Sequence, residues 1–350
     1  MLPFTYTCDA SFSVYKQTKQ YLEIQPDIYR GLSELAWAYS SIGKVIPTTS
    51  ENIWSGHFFP RHDSWEEIQV SYNLCLLGFY KQAMASLRGS FELGLLSVYW
   101  NLNDNGHEII QNWLRSQENT PRFDKVWRKL EQHPNFRIYQ QQHDIRQRLL
   151  DLGYLHDYVH AKGRKFSNTF GLLKSNCQTF EESGFNKWFT AYEEIVKILC
   201  ILHLIKYPIG VIRFDYSTKF GVDVPAFGGL DEFEVDRLEK VIGQDALRTI
   251  QLITESDSNV QDVFNWIRGL PDISEEEIQI QLIEQGQAFI KSMGFEAWFN
   301  TMQQSVDQLF DYERNLYEQR VEFLRQWAKE NGYEKSFKER LPHKNVGTAD

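Results

Sequence analysis

Two histidines four residues apart stand in the run Leu155-His156-Asp157-Tyr158-Val159-His160-Ala161-Lys162-Gly163-Arg164. On a helix that spacing puts both imidazoles over one small volume. Three readings fit. The first is metal chemistry: His-Asp-x-x-His is one methylene short of the H-E-x-x-H zinc motif, whose carboxylate serves as general base. Asp157 falls short of a metal-bound water that a glutamate reaches, and no third ligand follows before Gly163. Neither a metal nor any other cofactor is therefore assigned. The second is acid–base work on RNA, in which a histidine near its pKa takes the 2′-hydroxyl proton and an arginine steadies the phosphate. His160 is then the acid–base residue, with His156 beside it. Arg164, Arg148 or Arg88 serves as phosphate partner, and Asp157 or Tyr158 orients the ring. The third is structural: His156 and His160 are polar groups at a helix end, with His160 favourably placed at a C-terminal dipole. Arg88 and Glu92 form a separate i,i+4 pair, worth roughly 0.2–0.5 kcal/mol at a surface and of greater consequence if buried.

Other chemical signals are weak. Ser13-Val14-Tyr15-Lys16 matches S-x-x-K without its companion motifs, and there is no G-x-G-x-x-G, Walker loop or G-x-S-x-G elbow. The stretch from Asn52 to His62 sets His57, His62 and Arg61 among aromatics in a long loop, which fits packing over the core better than a site.

The elements that must position these residues read as helices. Pro26 opens one that runs to about Ile42 and stops at Gly43, with Leu32, Leu35, Ala36 and Tyr39 on its apolar side. Ser64-Trp65-Glu66-Glu67 predicts a capping box, and apolar residues near a 3.6 period predict one helix from there to about Asn101. Further helices are expected over 107–117, 122–132, 136–160 and 179–207, the last opened by Thr179-Phe180-Glu181-Glu182. Glycines and prolines over 209–229 predict a linker with one short hairpin. Shorter helices follow to 269, and Ser274-Glu275-Glu276-Glu277 is another capping box. Beyond it, Leu309-Phe310, Leu316-Tyr317 and Phe323-Leu324 recur every seven residues; this stripe packs either into its own domain or against a partner helix.

Composition narrows the class. A chain of 350 residues with 42% hydrophobic and 24% charged side chains is a folded protein, not a disordered, collagen-like or disulfide-stapled one. Cys8, Cys75, Cys177 and Cys200 are far apart and form no C-x-x-C pair, which predicts reduced thiols in the cytoplasm. No signal peptide is evident. The apolar stretch 195–212 is broken by Lys197, His203, Lys206 and Pro208, so it predicts a buried helix and no membrane span. The net charge of −10 argues against a generic polyanion binder, but charge is uneven. Residues 231–335 carry 22 acids and 10 bases, whereas 113–174 carry 12 bases and six acids, a local basic surface on which a phosphate-bearing ligand could dock.

The run Leu87-Arg88-Gly89-Ser90-Phe91-Glu92-Leu93, the stretch Asn112-Trp113-Leu114, the helix end Tyr154-x-x-x-Asp157-Tyr158-Val159-His160 and the ending Lys206-Tyr207-Pro208 together resemble the HEPN superfamily over about 64–209. The resemblance implies an all-α bundle in a bacterial toxin, phage-defence or stress system. In active members it also implies an Arg-x(4–6)-His motif, metal-independent RNA cleavage and a homodimer joining two motifs in one cleft. Here residues 153–155 are Gly153, Tyr154 and Leu155, residues 149–151 are Leu149, Leu150 and Asp151, and seven residues separate Arg148 from His156. The expected architecture is an N-terminal helical arm and loop (1–62), a HEPN-like bundle (63–210), a linker (211–229), an acidic helical domain with a long amphipathic helix (230–335) and a flexible tail (336–350). The expected function is an RNA-cleaving or RNA-binding effector, with loss of catalysis open because the motif is incomplete. The alternative is a non-catalytic scaffold that binds a protein partner through its C-terminal helices.

Overall fold

Gly78 stops what the hydrophobic period predicts as one long helix. The computed structural model describes residues 6–47, 58–102, 107–160, 162–167, 178–214, 216–221, 228–303 and 311–335, and all regular structure among them is helical. Gly78 has φ +81, which halts α3 (Phe58–Leu76) and reverses the chain into α4 (Tyr80–Asn101). The two helices pack antiparallel through small residues. Ser71 Oγ donates to Ala83 O at 2.7 Å, Ser86 Oγ to Glu67 O at 3.2 Å and Ser64 Oγ to Ser90 O at 2.7 Å. Ser64 therefore does not cap a helix as expected. The helix starts at Phe58, and the buried Ser64 hydroxyl accepts from Tyr39 Oη (2.6 Å) while crossing to α4. Of the expected 52–62 loop, 58–62 are the start of α3 and 52–57 lie outside the described residues.

The core is organised around α10 (Glu182–Lys206), preceded in chain order by α1 (Cys8–Ile24), α2 (Pro26–Ser41), α5 (His107–Leu114), α6 (Phe123–Gln132), α7 (Pro134–His143), α8 (Ile145–Asp151) and α9 (His156–Val159). From Ile195 to Ile205 nearly every α10 side chain is buried, as a helix surrounded by others requires. Gly94 lets α4 approach it, since a Cβ there would lie 2.6 Å from Leu199 Cδ1. The Thr179–Glu182 capping box does not form: α10 begins at Glu182, and the Glu181 N–H donates instead to Tyr80 Oη at 3.0 Å. No helix among the described residues is long and apolar enough to cross a membrane. Cys75 and Cys200 are buried free thiols, Cys8 is exposed, and Cys177 lies outside the described residues.

The chain divides elsewhere than expected. One unit comprises 1–214 and 224–269, the other 215–223 and 270–350. The N-terminal helices are no arm: Tyr21, Leu22, Leu32 and Leu35 belong to the main core. Helices α12 (Glu232–Ile242) and α13 (Gln244–Ser256) join it through Val235, Leu238, Leu247 and Ile250, and α14 (Ser258–Gly269) completes the unit. These amphipathic helices have apolar stripes that need covering, so 230–269 joins the first unit and the later division between the units falls after Gly269, not at 211–229. Where a hairpin was expected, the described residues hold a 3₁₀ turn (Pro208–Val211) and α11 (Ser217–Phe220); 215 and 222–227 lie outside them.

The second unit has a small core of its own, made by α15 (Glu275–Met293), α16 (Phe295–Gln303) and α17 (Asp311–Asn331). Its Ser274 capping box forms as expected, and the two Ser274 hydrogen bonds hold the Glu277 carboxyl below the usual pKa. Tyr317, Val321, Leu324 and Ala328 bury the apolar stripe of α17 among these helices, so it packs into its own domain; Phe323 stays half exposed. Leu309, Phe310 and the tail from 336 lie outside the described residues.

Two buried groups carry charge-related costs. The Arg61 guanidinium donates to Tyr39 O and, at 2.9 Å, to Ser40 O at the end of α2, and burial lowers its pKa. His203 is fully buried with Nδ1–H donating to Leu199 O at 2.8 Å, and burial pulls its pKa down to about 4. An unfolded chain binds a proton at His203 near pH 6.5, but the folded one does not. Its contribution to stability is thus full above about pH 6.5 and declines as pH falls towards 4, by up to about 1.4 kcal/mol per pH unit. Urea unfolding at pH 7 and 5 should show a smaller pH effect in His203→Gln than in the wild type. Gly78→Ala should lower stability by about 1–3 kcal/mol in the same assay, because the left-handed backbone resists a side chain and the new Cβ would sit 3.0 Å from Val14 Cγ1.

Candidate functional site

One face of α4 turns towards a cleft. Arg88, Phe91, Glu92, Leu95 and Leu96 follow the i, i+3, i+4, i+7, i+8 order of a single helical face, and all five line it. A second wall comes from Leu149, Leu150, Leu152, Gly153 and His156, and a third from Thr120, Pro121, Phe123 and Val126 at the start of α6. The cleft holds about 340 Å³ and is mainly apolar, with the ionisable groups Arg88, Glu92 and His156 among its lining.

The second wall exists because the expected helix over 136–160 is broken. Asp144 adopts a left-handed conformation (φ +41) between α7 and α8, a geometry that aspartate tolerates better than most residues. Leu152–Leu155 then tightens into a 3₁₀ turn before the single turn of α9. Leu152, Leu155 and Tyr158 face the core, and His156 is left exposed. His160 ends α9 with an extended backbone, its N–H donating to His156 O at 3.1 Å.

The two imidazoles do meet. Their ring centroids are 4.0 Å apart, tilted by 46°. Arg88 shares the cleft with His156 and acts on its charge, and it is held by Glu92 at 2.5 Å in a partly exposed pair. The pKa of His156 is lowered by partial desolvation first, then by the positive charges of His160, Arg88 and Lys162, with Glu92 opposing. His156 is therefore biased towards the neutral form, which can accept a proton.

The other expected partners are placed elsewhere. Arg148 is committed to Glu194 of α10, with Nη2 and Nε at 2.8 and 2.9 Å from the same carboxylate oxygen. Arg164 stands exposed on the 3₁₀ turn Arg164–Phe166, beyond Gly163. Asp157 pairs with Lys162 Nζ at 2.6 Å and not with an imidazole. Tyr158 is buried, its ring edge-on to Phe166 at 5.1 Å, and burial raises its pKa to about 12, so it does not orient His160. A residue on α9 can show only one side to solvent, and the 156/160 side leaves 158 facing inward. Among the described residues no group of three or more His, Cys, Asp or Glu side chains gathers as metal ligands.

Sequence reasoning missed the cleft walls. Phe91 and Leu95 read as apolar positions of a long helix, and 122–132 only as a further helix. The available signal was Arg88 and Glu92 on the same helical face as those apolar residues. Arg122 and Lys125, which alternate with the lining residues of α6, are exposed, as the basic balance of this region predicts.

Proton NMR titration should find the His156 ring titrating below an ordinary histidine. Arg88→Ala removes one of the positive neighbours and should move that midpoint upward; an unchanged midpoint would contradict the assigned geometry. No family model matches this chain, and neither does any curated protein or solved structure.

Proposed function

We propose that this chain is a HEPN-like, metal-independent endoribonuclease in which His156 and His160 are the acid–base pair and Arg88 is the phosphate partner. The observation that carries the reading is the imidazole pair at 4.0 Å beside a cleft to which Arg88 also contributes. Neutral His156 takes the proton of a ribose 2′-hydroxyl, and the 2′-oxygen attacks the adjacent phosphorus. The bond from phosphorus to the 5′-oxygen breaks, and protonated His160 supplies the proton that this oxygen needs. The products are a 2′,3′-cyclic phosphate and a 5′-hydroxyl, with no redox change and no cofactor. Arg88 steadies the phosphorane charge once it leaves Glu92, a transfer that costs little because a partly exposed pair is worth only about 0–1 kcal/mol.

The arginine comes from another helix than the histidines, which would explain why the Arg-x(4–6)-His spacing is incomplete in the chain. The exposed bases Arg122, Lys125 and Lys162 supply positive charge along the cleft segments, in keeping with a polyanionic substrate on an otherwise acidic protein. The resemblance adds a bacterial defence or stress setting and a homodimer, and the scattered cysteines a cytoplasmic location. A scaffold working through a free heptad stripe is less well supported, since the described part of that stripe is buried in its own unit.

Purified protein should cleave single-stranded RNA in EDTA and leave cyclic-phosphate ends. His156→Ala and His160→Ala should each reduce the rate by about 10²–10⁴-fold. Arg88→Ala should reduce it by about 10²-fold or more. Intact RNA with wild-type protein, or cleavage at the wild-type rate by either histidine variant, overturns the assignment.

A further inference from the structure

The cleft is larger than phosphate chemistry requires. Its volume of about 340 Å³ lies in the range of pockets that take small organic ligands, roughly 300–1,000 Å³. Phe91 and Phe123 supply aromatic surface, Leu95, Leu96, Val126 and Leu149 supply aliphatic surface, and none of these can satisfy a phosphate. A flat, largely apolar group with polar edges fits such walls, and Arg88 in the lining supplies a cation for a phosphate attached to it.

Among the described residues of the lining, Glu92 is the one anionic group. In the absence of ligand its carboxylate takes Arg88 at 2.5 Å, an interaction that ties up the very cation the phosphate needs. A ligand that gives Glu92 a better-matched partner releases Arg88. Among nucleobases only guanine presents two adjacent N–H donors, N1–H and N2–H, on its Watson–Crick edge, which a carboxylate accepts in two parallel hydrogen bonds. Adenine and cytosine place a ring-nitrogen lone pair beside their amino group. Uracil places its single N–H between two carbonyls. Each of those three sets a lone pair against the carboxylate.

Resting on the ribonuclease reading above, we infer that the cleft is a guanine-specific subsite, in which Glu92 reads the Watson–Crick edge and in doing so hands Arg88 to the adjacent phosphate. Substrate selection and completion of the phosphate site are then one event. Gly153 provides an independent handle on the same space. It lies in the lining, its backbone is not left-handed, and a Cβ there meets nothing within 4 Å, so a side chain can be added at that position without a clash.

Isothermal titration of the full chain with guanosine 3′-monophosphate and adenosine 3′-monophosphate tests this directly. The guanosine nucleotide should bind about tenfold or more tightly than the adenosine one. Glu92→Gln should abolish most of that preference without weakening adenosine nucleotide binding. Gly153→Phe should weaken both by about tenfold, with an unchanged circular dichroism spectrum and melting temperature. Equal affinity for the two nucleotides, binding of neither, or a preference that survives in Glu92→Gln overturns the inference. The two proposals fail separately: His156- and His160-dependent cleavage with no guanosine preference removes the guanine subsite alone, whereas guanosine binding without cleavage removes the ribonuclease reading and leaves the subsite.

Discussion

The close antiparallel packing of α3 on α4 is the constraint on which the candidate site depends. Serines placed at the contact bring the backbones near enough for each hydroxyl to reach a carbonyl of the opposite helix, and three such bonds are made by Ser64, Ser71 and Ser86. A buried hydroxyl left without its partner costs about 1–3 kcal/mol, so these bonds discourage both sliding and rotation of one helix on the other. With Ser86, Leu87 and Ser90 turned inward, the 3.6-residue period leaves Arg88, Phe91, Glu92 and Leu95 on the face that lines the cleft. The same hairpin needs Gly78 at its turn and Gly94 where α10 comes close.

Polar chemistry is distributed on two levels of this unit. Deep in the core, Tyr39, Ser64, Ser90, Arg61 and His203 make hydrogen bonds mainly to backbone carbonyls and to each other. Burial there works against any charge change, and the lowered pKa values of Arg61 and His203 reflect it. At the cleft, the Arg88–Glu92 pair and the two imidazoles are partly or fully open to solvent. Charges at this level can exchange partners at small cost, which is the property that ligand binding and proton transfer require.

The segment between α7 and α9 converts a regular pattern into a site. Had 136–160 remained one helix, its apolar side would have continued through Tyr158, and the histidines would have followed the axis of that helix. The left-handed Asp144 and the 3₁₀ turn at 152–155 change the direction twice and deliver His156 to the wall opposite Arg88. Lys162 is drawn to Asp157 just beyond the end of α9, adding positive charge on the same side.

The all-helical class, the buried character of the 195–205 segment, the Ser274 capping box and the Arg88–Glu92 pair were all legible in the chain, because each rests on residues within about one or two helical turns. The approach of His156 to His160 was legible for the same reason. The break at Gly78, the use of Ser64 as a core hydrogen bond and the inclusion of 232–269 in the first unit were not, since each is decided by which distant surface covers an apolar stripe or takes a hydroxyl. Likewise, the sequence offered Arg164, Arg148 and Arg88 as partners of the histidines with none at the required spacing, and tertiary packing assigned Arg148 to Glu194 and brought Arg88 to His156. Local periodicity determines which face of a helix is apolar. Only the folded chain determines what that face meets, because long-range partners compete for it through shape, burial and charge at once.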